Sequence, residues 1–405
     1  MRKSLEFDVV VVGGGPAGSS AAFAASKNGS KVALIEKEKE IAQTVRTSGV
    51  TWADAIKEFE IPRSCYNPIR NYGFQSNHNE VIINDHQPRA AVLDVRKTYR
   101  WLAEKARKEG TEIFSNTTVT GVIKNDKGDV IGVKTESDQG DSNFYARIII
   151  DASGFQSIVA RLAGYATRWK KFGVGAEYEM NVQNADDTTW WLMVGSRFSP
   201  AGYAWIFPLS KNRVRIGVGI GKPDSSLDPK EKLDELIKEK RGKICDLGKM
   251  NILEYHYGLI PNEGLSRQTV YNNLILVGDS AGQANPLVLE GIRYAIRFGR
   301  VAGQVASDSI KNNNTDAQAL STYEEHWRSK IHSKIKSAHK VQQRWLSLSD
   351  QEWDRELEII RELGVEEFLD FIKADFGLSN IIKLASHHPK LAVRQLFNLV
   401  KGASK

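Results

Sequence analysis

The chain of 405 residues has only two cysteines, Cys65 and Cys245, far apart in sequence. Two thiols cannot hold a four-cysteine iron–sulfur cluster or a four-cysteine zinc site, and they read as free thiols of a reducing compartment. Long apolar runs are missing as well: none reaches the ~18–20 residues that a membrane-spanning helix needs. The first apolar run leads straight into glycines without a small-residue cleavage pattern, so a cytoplasmic chain is expected. His256, His387 and His388 lack acidic or cysteine partners at ligand spacing, so no metal site is expected. The formal charge of +7 is spread along the chain, with no nucleic-acid motif beside it. That distribution points to a solvated surface, while leaving open an anionic lipid surface or an acidic electron donor.

What is present fits a soluble globular protein, with 41% hydrophobic and 26% charged residues. The length predicts two or three lobes. Phe7 to Val12 is a β-branched run suited to a strand buried on both faces. It feeds Gly13-Gly14-Gly15-Pro16-Ala17-Gly18, an alanine-rich helix to Lys27, and a second strand over Lys31–Glu36. Residues 41–90 predict loops and short strands, and Val95 to Lys108 an amphipathic helix. Residues 111–150 read as strands and 169–220 as an antiparallel sheet. Asp228 to Lys243 predicts a charged helix, Leu274 to Val277 a buried strand, and Gly291 to Lys311 a long helix. Beyond Tyr323 the chain reads as helical and charged.

Three motifs carry chemistry. In Gly13-x-Gly15-x-x-Gly18, the first glycine permits the turn, the second lets backbone amides approach a pyrophosphate, and the third lets helix and strand pack closely. The phosphates then face the unpaired N–H groups at the helix start. Glu36, at the end of the second strand, can accept both ribose hydroxyls of an adenosine. The second motif is Gly278-Asp279-Ser280-Ala281-Gly282, where a strand meets a small-residue turn. An aspartate there, taken alone, is more often a helix cap; paired with the first motif, Asp279 becomes a candidate for a ribityl hydroxyl. The third is Asp151-Ala152-Ser153-Gly154, a strand end that allows close backbone packing. Separately, Tyr203, Trp205 and Phe207 share one face of a strand, which suits either a greasy slot or an ordinary core face. Trp190 and Trp191 must point to opposite faces, so at most one joins that wall. Val393, Leu396, Phe397 and Val400 form a helical stripe flanked by Lys390, Arg394 and Lys401, suited to self-packing or to a membrane surface.

These motifs, in this order, resemble the flavoprotein superfamily of aromatic hydroxylases, halogenases and geranylgeranyl reductases. Within it, the sequence is most similar to the geranylgeranyl reductase family. Tyr203-x-Trp205-x-Phe207-Pro208 followed by Val214-Arg215-Ile216-Gly217-Val218-Gly219 carries that resemblance, together with Gly258-Leu259-Ile260-Pro261 and the run from Gly278 through Pro286 to Glu290-Gly291-Ile292. It covers roughly residues 5–310, and the tail is not diagnostic.

The resemblance implies an α/β fold: a Rossmann-like FAD domain (1–70, 95–165 and 270–312), an inserted antiparallel-sheet substrate domain (71–94 and 166–269) and a C-terminal helical region (313–405). It implies an FAD site built from Gly13, Gly15, Pro16, Ala17, Gly18, Arg46, Ser48, Gly49, Gly154, Gly278 and Gly282. Glu36 would meet the ribose, Arg96 the pyrophosphate, Val119 the adenine and Asp279 the ribityl–phosphate region. Glu290, Gly291 and Ile292 would lie beside the isoalloxazine. Tyr203, Trp205 and Phe207 would line an isoprenoid pocket, with Ser48 and Glu290 as candidates for guiding a proton.

The implied reaction is reduction of carbon–carbon double bonds in an isoprenoid lipid or prenyl quinone. Ferredoxin or NAD(P)H would donate the electrons, and the enzyme would be cytoplasmic or peripheral to the inner face of the membrane. Two departures stand out. Ser48 occupies a place where the family often has a cysteine, and Leu287-Val288-Leu289-Glu290 one where a glycine-rich turn is frequent. The alternatives are an FAD-dependent monooxygenase or halogenase, a quinone-linked electron-transfer flavoprotein partner that would need a separate ferredoxin, and a flavin-binding sensor protein.

Overall fold

The computed structural model describes residues 3–265 and 267–374. The stripe from Val393 to Val400 and the pair His387-His388 lie outside the described residues. Strand β1 (Lys3–Val12) runs into helix α1 (Pro16–Lys27) and returns as β2 (Val32–Ile35). Next come β3 (Val50–Trp52), α2 (Ala53–Phe59), β4 (Tyr66–Ile69), β5 (Asn71–Gln75), β6 (Glu80–Asn84) and β7 (Ala90–Leu93). Helix α3 (Val95–Lys108) precedes β8 (Glu112–Phe114), β9 (Thr117–Lys124), β10 (Val130–Ser137) and β11 (Ser142–Asp151). The chain continues through α4 (Ile158–Leu162), β12 (Phe172–Val182), β13 (Thr189–Val194), β14 (Gly202–Ser210), β15 (Arg213–Lys222) and α5 (Pro229–Lys238). It closes with β16 (Met250–Pro261), β17 (Val270–Tyr271), β18 (Leu274–Leu276), α6 (Ile292–Lys311), α7 (Ala317–Leu346), α8 (Asp350–Glu362) and α9 (Val365–Ile372).

The first sheet has the order β17-β18-β11-β1-β2-β8, with β10 and β9 paired on from β11. Strand β1 lies between two parallel partners, Val10 opposite Ile149 on one side and Ala33 on the other. Both faces of its apolar run are covered, which explains the unbroken valines. Val9, Val10 and Val11 are fully buried, each stabilising the fold by roughly 1.5–3 kcal/mol relative to an exposed side chain. Helices α1 and α6 lie together over one face. Cβ atoms added at Gly299 and Gly303 would stand 2.4 Å from the Ala17 carbonyl oxygen and 2.1 Å from that of Ala21, so those glycines set the helix spacing. This sheet is the expected Rossmann-like core.

The second sheet has the order β16-β12-β15-β14-β13-β5-β6. It is antiparallel except for the parallel pair β13–β5. One face packs on α5 and the other turns toward α7, α8 and α9. Strands β5 and β6 join it, whereas β7 pairs with β3 and β4 in a small third sheet.

Two local expectations are corrected. The helix expected over Asp228–Lys243 ends at Lys238, because Lys240 takes a left-handed φ of 49° and the Arg241 amide bonds back to the Leu236 carbonyl. That helix end uses lysine where glycine is the usual signal. Helix α2 occupies a stretch whose composition suggested loops and short strands only.

Candidate functional site

The glycine turn after β1 meets the requirements of its fingerprint in different ways. A Cβ on Gly13, whose φ is 105°, would lie 2.4 Å from the Ala152 carbonyl oxygen, and one on Gly18 would lie 1.9 Å from the Gly13 carbonyl oxygen. Both glycines are therefore demanded by packing. Gly15 has nothing within 4 Å of its Cβ direction, leaving open space over the start of α1. No side chain caps that helix, Pro16 opens it, and its first N–H groups remain available for an anion. The Glu36 carboxylate accepts from the Gly14 amide at 2.7 Å and from the Glu38 amide at 2.9 Å. Val119 stands two residues past Thr117, whose amide bonds the Glu36 carbonyl at 2.9 Å.

The two later turns are locked together by Asp151. Its carboxylate accepts from Ser153 Oγ at 2.5 Å and from the Ala160 amide at 2.9 Å, while Ser280 Oγ donates to the Gly154 carbonyl at 3.0 Å. Burial raises the Asp151 carboxyl above the usual range, despite those donors. Gly154 takes a φ of 71°, with nothing near its Cβ direction. Gly278 packs on Ala17: a Cβ added there would stand 3.0 Å from the alanine methyl, which brings this turn up against the first one. Gly282, φ 72°, passes close to the Gly264 carbonyl and Trp169.

Asp279 differs from its neighbours. Its carboxylate has no hydrogen-bond partner among the described residues, and desolvation pushes it up to about 6. Tyr99 on α3, which belongs to none of the three motifs, lies close enough for the Asp279 charge to add to the burial that raises its phenol. Gly291 lies on the other side, its Cβ direction 3.5 Å from Asp279 Oδ1.

The 46–49 loop is held from below. Fully buried Arg215 donates to the Ser48 carbonyl at 2.9 Å and to the Leu93 carbonyl at 3.0 Å. Gly49, φ 83°, leaves no room for a Cβ: the Leu93 carbonyl oxygen would be 2.8 Å away and Arg215 Nη1 2.9 Å. Arg46 reaches Glu38 at 2.9 Å. Arg96 donates to the carbonyls of Ala42 and Gln43 and pairs with Glu254 at 2.7 Å, so its guanidinium lies against the segment that leads into this loop.

Beyond the loop opens a cavity. Its apolar wall includes Phe74, Leu192, Val194, Trp205, Leu287, Trp345 and Trp353; its polar lining includes Ser48, Glu177, His256, Asn262 and Gln342. Tyr203, Trp205 and Phe207 do share a face, with the Trp205 and Phe207 rings stacked 5.9 Å apart. Trp190 joins them edge-on to Phe207, and Trp191 packs with the opposite face. Trp205 lies over Gly217, where any Cβ would be 2.2 Å from the indole. The Tyr203 hydroxyl donates to the Val288 carbonyl at 2.6 Å, clamping the 287–290 turn. In that turn Leu289 holds a φ of 49°, a glycine-like conformation occupied by leucine. A smaller adjoining cavity is lined by Phe207, Glu290, Gly291 and Ile292.

The Glu290 carboxylate is bound by Arg293 Nε at 2.7 Å, both side chains being buried. The expectation that His256 lacks acidic partners is corrected: it sits between Glu177 and Glu254, which come to it across strand pairing and along β16. Among the described residues, no three His, Cys, Asp or Glu side chains form a metal-holding group.

Residues 8–355 match a protein-family model described as FAD dependent oxidoreductase. The chain is 32% identical over 363 residues to a digeranylgeranylglycerophospholipid reductase of Methanocaldococcus jannaschii, an alignment spanning 88% of this chain and 91% of that one. It is 30% identical to digeranylgeranylglycerophospholipid reductase 1 of Methanopyrus kandleri, over 94% and 97% of the two chains.

The chain belongs to the geranylgeranyl reductase family of FAD-dependent oxidoreductases. A solved structure of a geranylgeranyl bacteriochlorophyll reductase-like protein from Thermoplasma acidophilum superposes with a TM-score of 0.86 and 27% identity, covering 98% of this chain and 100% of that one. A flavin-dependent brominase, at 18% identity and a TM-score of 0.61, shares the fold alone. Membership of the geranylgeranyl reductase family thus extends past residue 310 into the helical tail. The residues present also fit FAD. The uncapped start of α1, the open space over Gly15 and the unpartnered Asp279 carboxylate offer an anion site and a hydroxyl acceptor on two turns that meet where Gly278 packs on Ala17.

Proposed function

We propose that this enzyme saturates isolated carbon–carbon double bonds in geranylgeranyl-type chains of an isoprenoid lipid. The observation that carries the reading is an aromatic-walled cavity lined by Ser48 and adjoining a smaller one lined by Gly291, whose Cβ direction lies 3.5 Å from Asp279 Oδ1. The names of the relatives, at 30–32% identity over about nine tenths of the chain, support the same substrate class.

An isolated alkene has no carbonyl to polarise, so side-chain acid–base chemistry cannot reduce it unaided. Bound FAD, once reduced, supplies the hydride equivalent. The protein's share is binding, orientation and exclusion of water. In this reading Gly13, Gly15, Pro16, Ala17 and Gly18 hold the pyrophosphate, with Arg96 nearby. Glu36 takes the adenosine ribose, Val119 meets the adenine and Asp279 accepts from a ribityl hydroxyl. Arg46, Ser48, Gly49, Gly154, Gly278, Gly282, Gly291 and Ile292 frame the rest of the cofactor. Tyr203, Trp205 and Phe207 hold the prenyl chain. Ser48 offers a hydroxyl donor, and Glu290, fixed by Arg293, sets the turn rather than carrying a mobile proton. A prenyl quinone is the second substrate class, electrons come from ferredoxin or NAD(P)H, and the enzyme meets its lipid at the membrane surface.

The test is anaerobic incubation of FAD-loaded, dithionite-reduced enzyme with a digeranylgeranyl glycerophospholipid, followed by mass spectrometry. Hydrogen gained in pairs along the chains is expected. Unchanged lipid, with cofactor reoxidised only by oxygen and a hydroxylated or halogenated product, would transfer the chain to the monooxygenase alternative.

A further inference from the structure

We infer that Glu177, His256 and Glu254 form a proton relay that supplies the second hydrogen of the reduction from solvent to the cavity; the inference rests on the alkene-reductase reading above. The cavity is apolar over most of its wall, yet Glu177 and His256 line it while almost wholly buried. Carboxylates and imidazoles in such places are costly unless paired, and here each pairing points along one line. The Trp205 indole N–H donates to Glu177 Oε2 at 2.7 Å, and His256 Nδ1 lies 3.0 Å from Glu177 Oε1. On the far side of the ring, His256 Nε2 is buried with no hydrogen-bond partner. The Glu254 carboxylate stands 3.5 Å from it, a gap that a small side-chain adjustment closes. Glu254 is 36% exposed, while Glu177 is 4% exposed. The line therefore runs from the partly exposed Glu254 to the cavity-lining Glu177 in two transfers.

The sheet explains why these residues meet. Glu177 on β12 is in register with His256 on β16 and with Gly217 on β15. Because Gly217 has no side chain, the Trp205 ring crosses β15 and reaches the carboxylate. The aromatic residue assigned to the prenyl chain thus also orients Glu177. The charged groups facing this line from every packed element are Glu179 and Arg213, Arg215 with its Nε 3.7 Å from Glu177, Arg96 on Glu254, and Arg46 at the cavity edge. Arg215 and Arg96 offset the carboxylate charge at the two ends, and the Arg96 hydrogen bond holds the Glu254 carboxyl below its usual range, so that the outer carboxylate passes a proton on rather than storing it.

The balance of the step is simple. The π bond of the alkene breaks, and bound reduced FAD would supply the hydride equivalent that one carbon takes. Its neighbour takes a proton from the Glu177 carboxyl, so two C–H bonds form. The Glu177 carboxylate regains its proton from His256, which regains one through Glu254 from solvent. No further oxidant or reductant is consumed.

The experiment compares FAD-loaded wild type, Glu177→Gln, His256→Gln and Glu254→Gln in single turnover with the prenyl lipid. Affinity for the saturated lipid, read by flavin fluorescence, serves as a measurement independent of turnover. For Glu177→Gln a rate loss of about 100-fold or more is expected, with saturated-lipid affinity within about threefold of wild type. For His256→Gln and Glu254→Gln, smaller losses and a displaced limb of the pH–rate profile are expected, with a larger solvent deuterium isotope effect. Wild-type rate and pH profile retained by Glu177→Gln would overturn the relay alone. Wild type that saturates no prenyl lipid would overturn the substrate reading and the relay with it. Should Glu177→Gln lose its flavin or its cooperative melt, Glu254→Gln decides at the solvent end: a displaced pH limb supports the relay, and an unchanged profile overturns it.

Discussion

The cofactor end and the cavity end of this site are made from different materials. At the end proposed for the cofactor the work is done mainly by backbone: Gly13, Gly15, Gly18 and Gly278 shape turns within short stretches. At the cavity end it is done by side chains from β5, β12, β13, β14, β16, α7 and α8, none close in sequence to all the others. Arg215 ties the two ends, since it holds the Ser48 carbonyl on one side and faces Glu177 and Glu179 on the other. A backbone-made site tolerates loss of a side chain and fails on gain of one; a side-chain-made site behaves the opposite way.

The largest break is expected at the tie itself. Arg215→Met leaves Glu177 and Glu179 buried with less compensation and frees the Ser48 turn, at a cost of about 3–5 kcal/mol. Urea unfolding of the flavin-free protein measures it, and a loss under about 1 kcal/mol would mean the two ends are not coupled through this residue. The next comparison sits within the glycine fingerprint. Gly18→Ala should lower stability by about 1–3 kcal/mol and abolish FAD retention, because its methyl meets the Gly13 carbonyl. Gly15→Ala should leave flavin-free stability within about 0.5 kcal/mol yet weaken FAD binding, since its methyl enters only the space kept for phosphate. Equal effects in the two variants would erase that distinction.

The remaining break is a pH dependence at Asp279. Its folded carboxyl stands near 6, above its ordinary 3.8, so the uncharged form is favoured on folding. Stability from this group is fully present below about pH 4 and is lost as pH rises through 6, on the order of 3 kcal/mol in all. Asp279→Asn should flatten the melting-temperature difference across that window. A hydroxyl donor reverses the preference, so FAD binding to the parent should tighten as pH rises through 6 and stay level in the variant. Parallel pH profiles for parent and variant would count against Asp279 as the hydroxyl acceptor.

The same contrast governs how much of the molecule was legible in its sequence. Strand β1, the glycine turn and Glu36 lie within 36 residues of one another, and Val95–Lys108 is a helix to the residue, because the periodicity and caps that specify them are local. Tyr203, Trp205 and Phe207 fall on one face for the same reason. Glu177 and His256 carried no signal: they are 79 residues apart and meet only through the β12–β16 register. The role of Arg215 was hidden in a family motif, with nothing nearby to show that it would reach back to residue 48. Trp345 and Trp353 looked like part of a charged tail, yet they wall the cavity. The leucine at position 289 stands where the family resemblance implies a glycine-rich turn, and it takes the glycine-like φ of 49° while the Tyr203 hydroxyl holds Val288 and Leu289 packs on Gly173.

The placement of Trp345 and Trp353 has a consequence for how the molecule comes into being. Every turn assigned to FAD is complete by Ile292, and α6 closes over α1 by Lys311. The oily chamber gains its last wall only when the two later tryptophans arrive. A polypeptide emerging from its N-terminus thus finishes its phosphate-facing half before the greasy hollow has its last wall. Synthesis itself sets an order in which the pigment can be seated first and the lipid admitted afterwards.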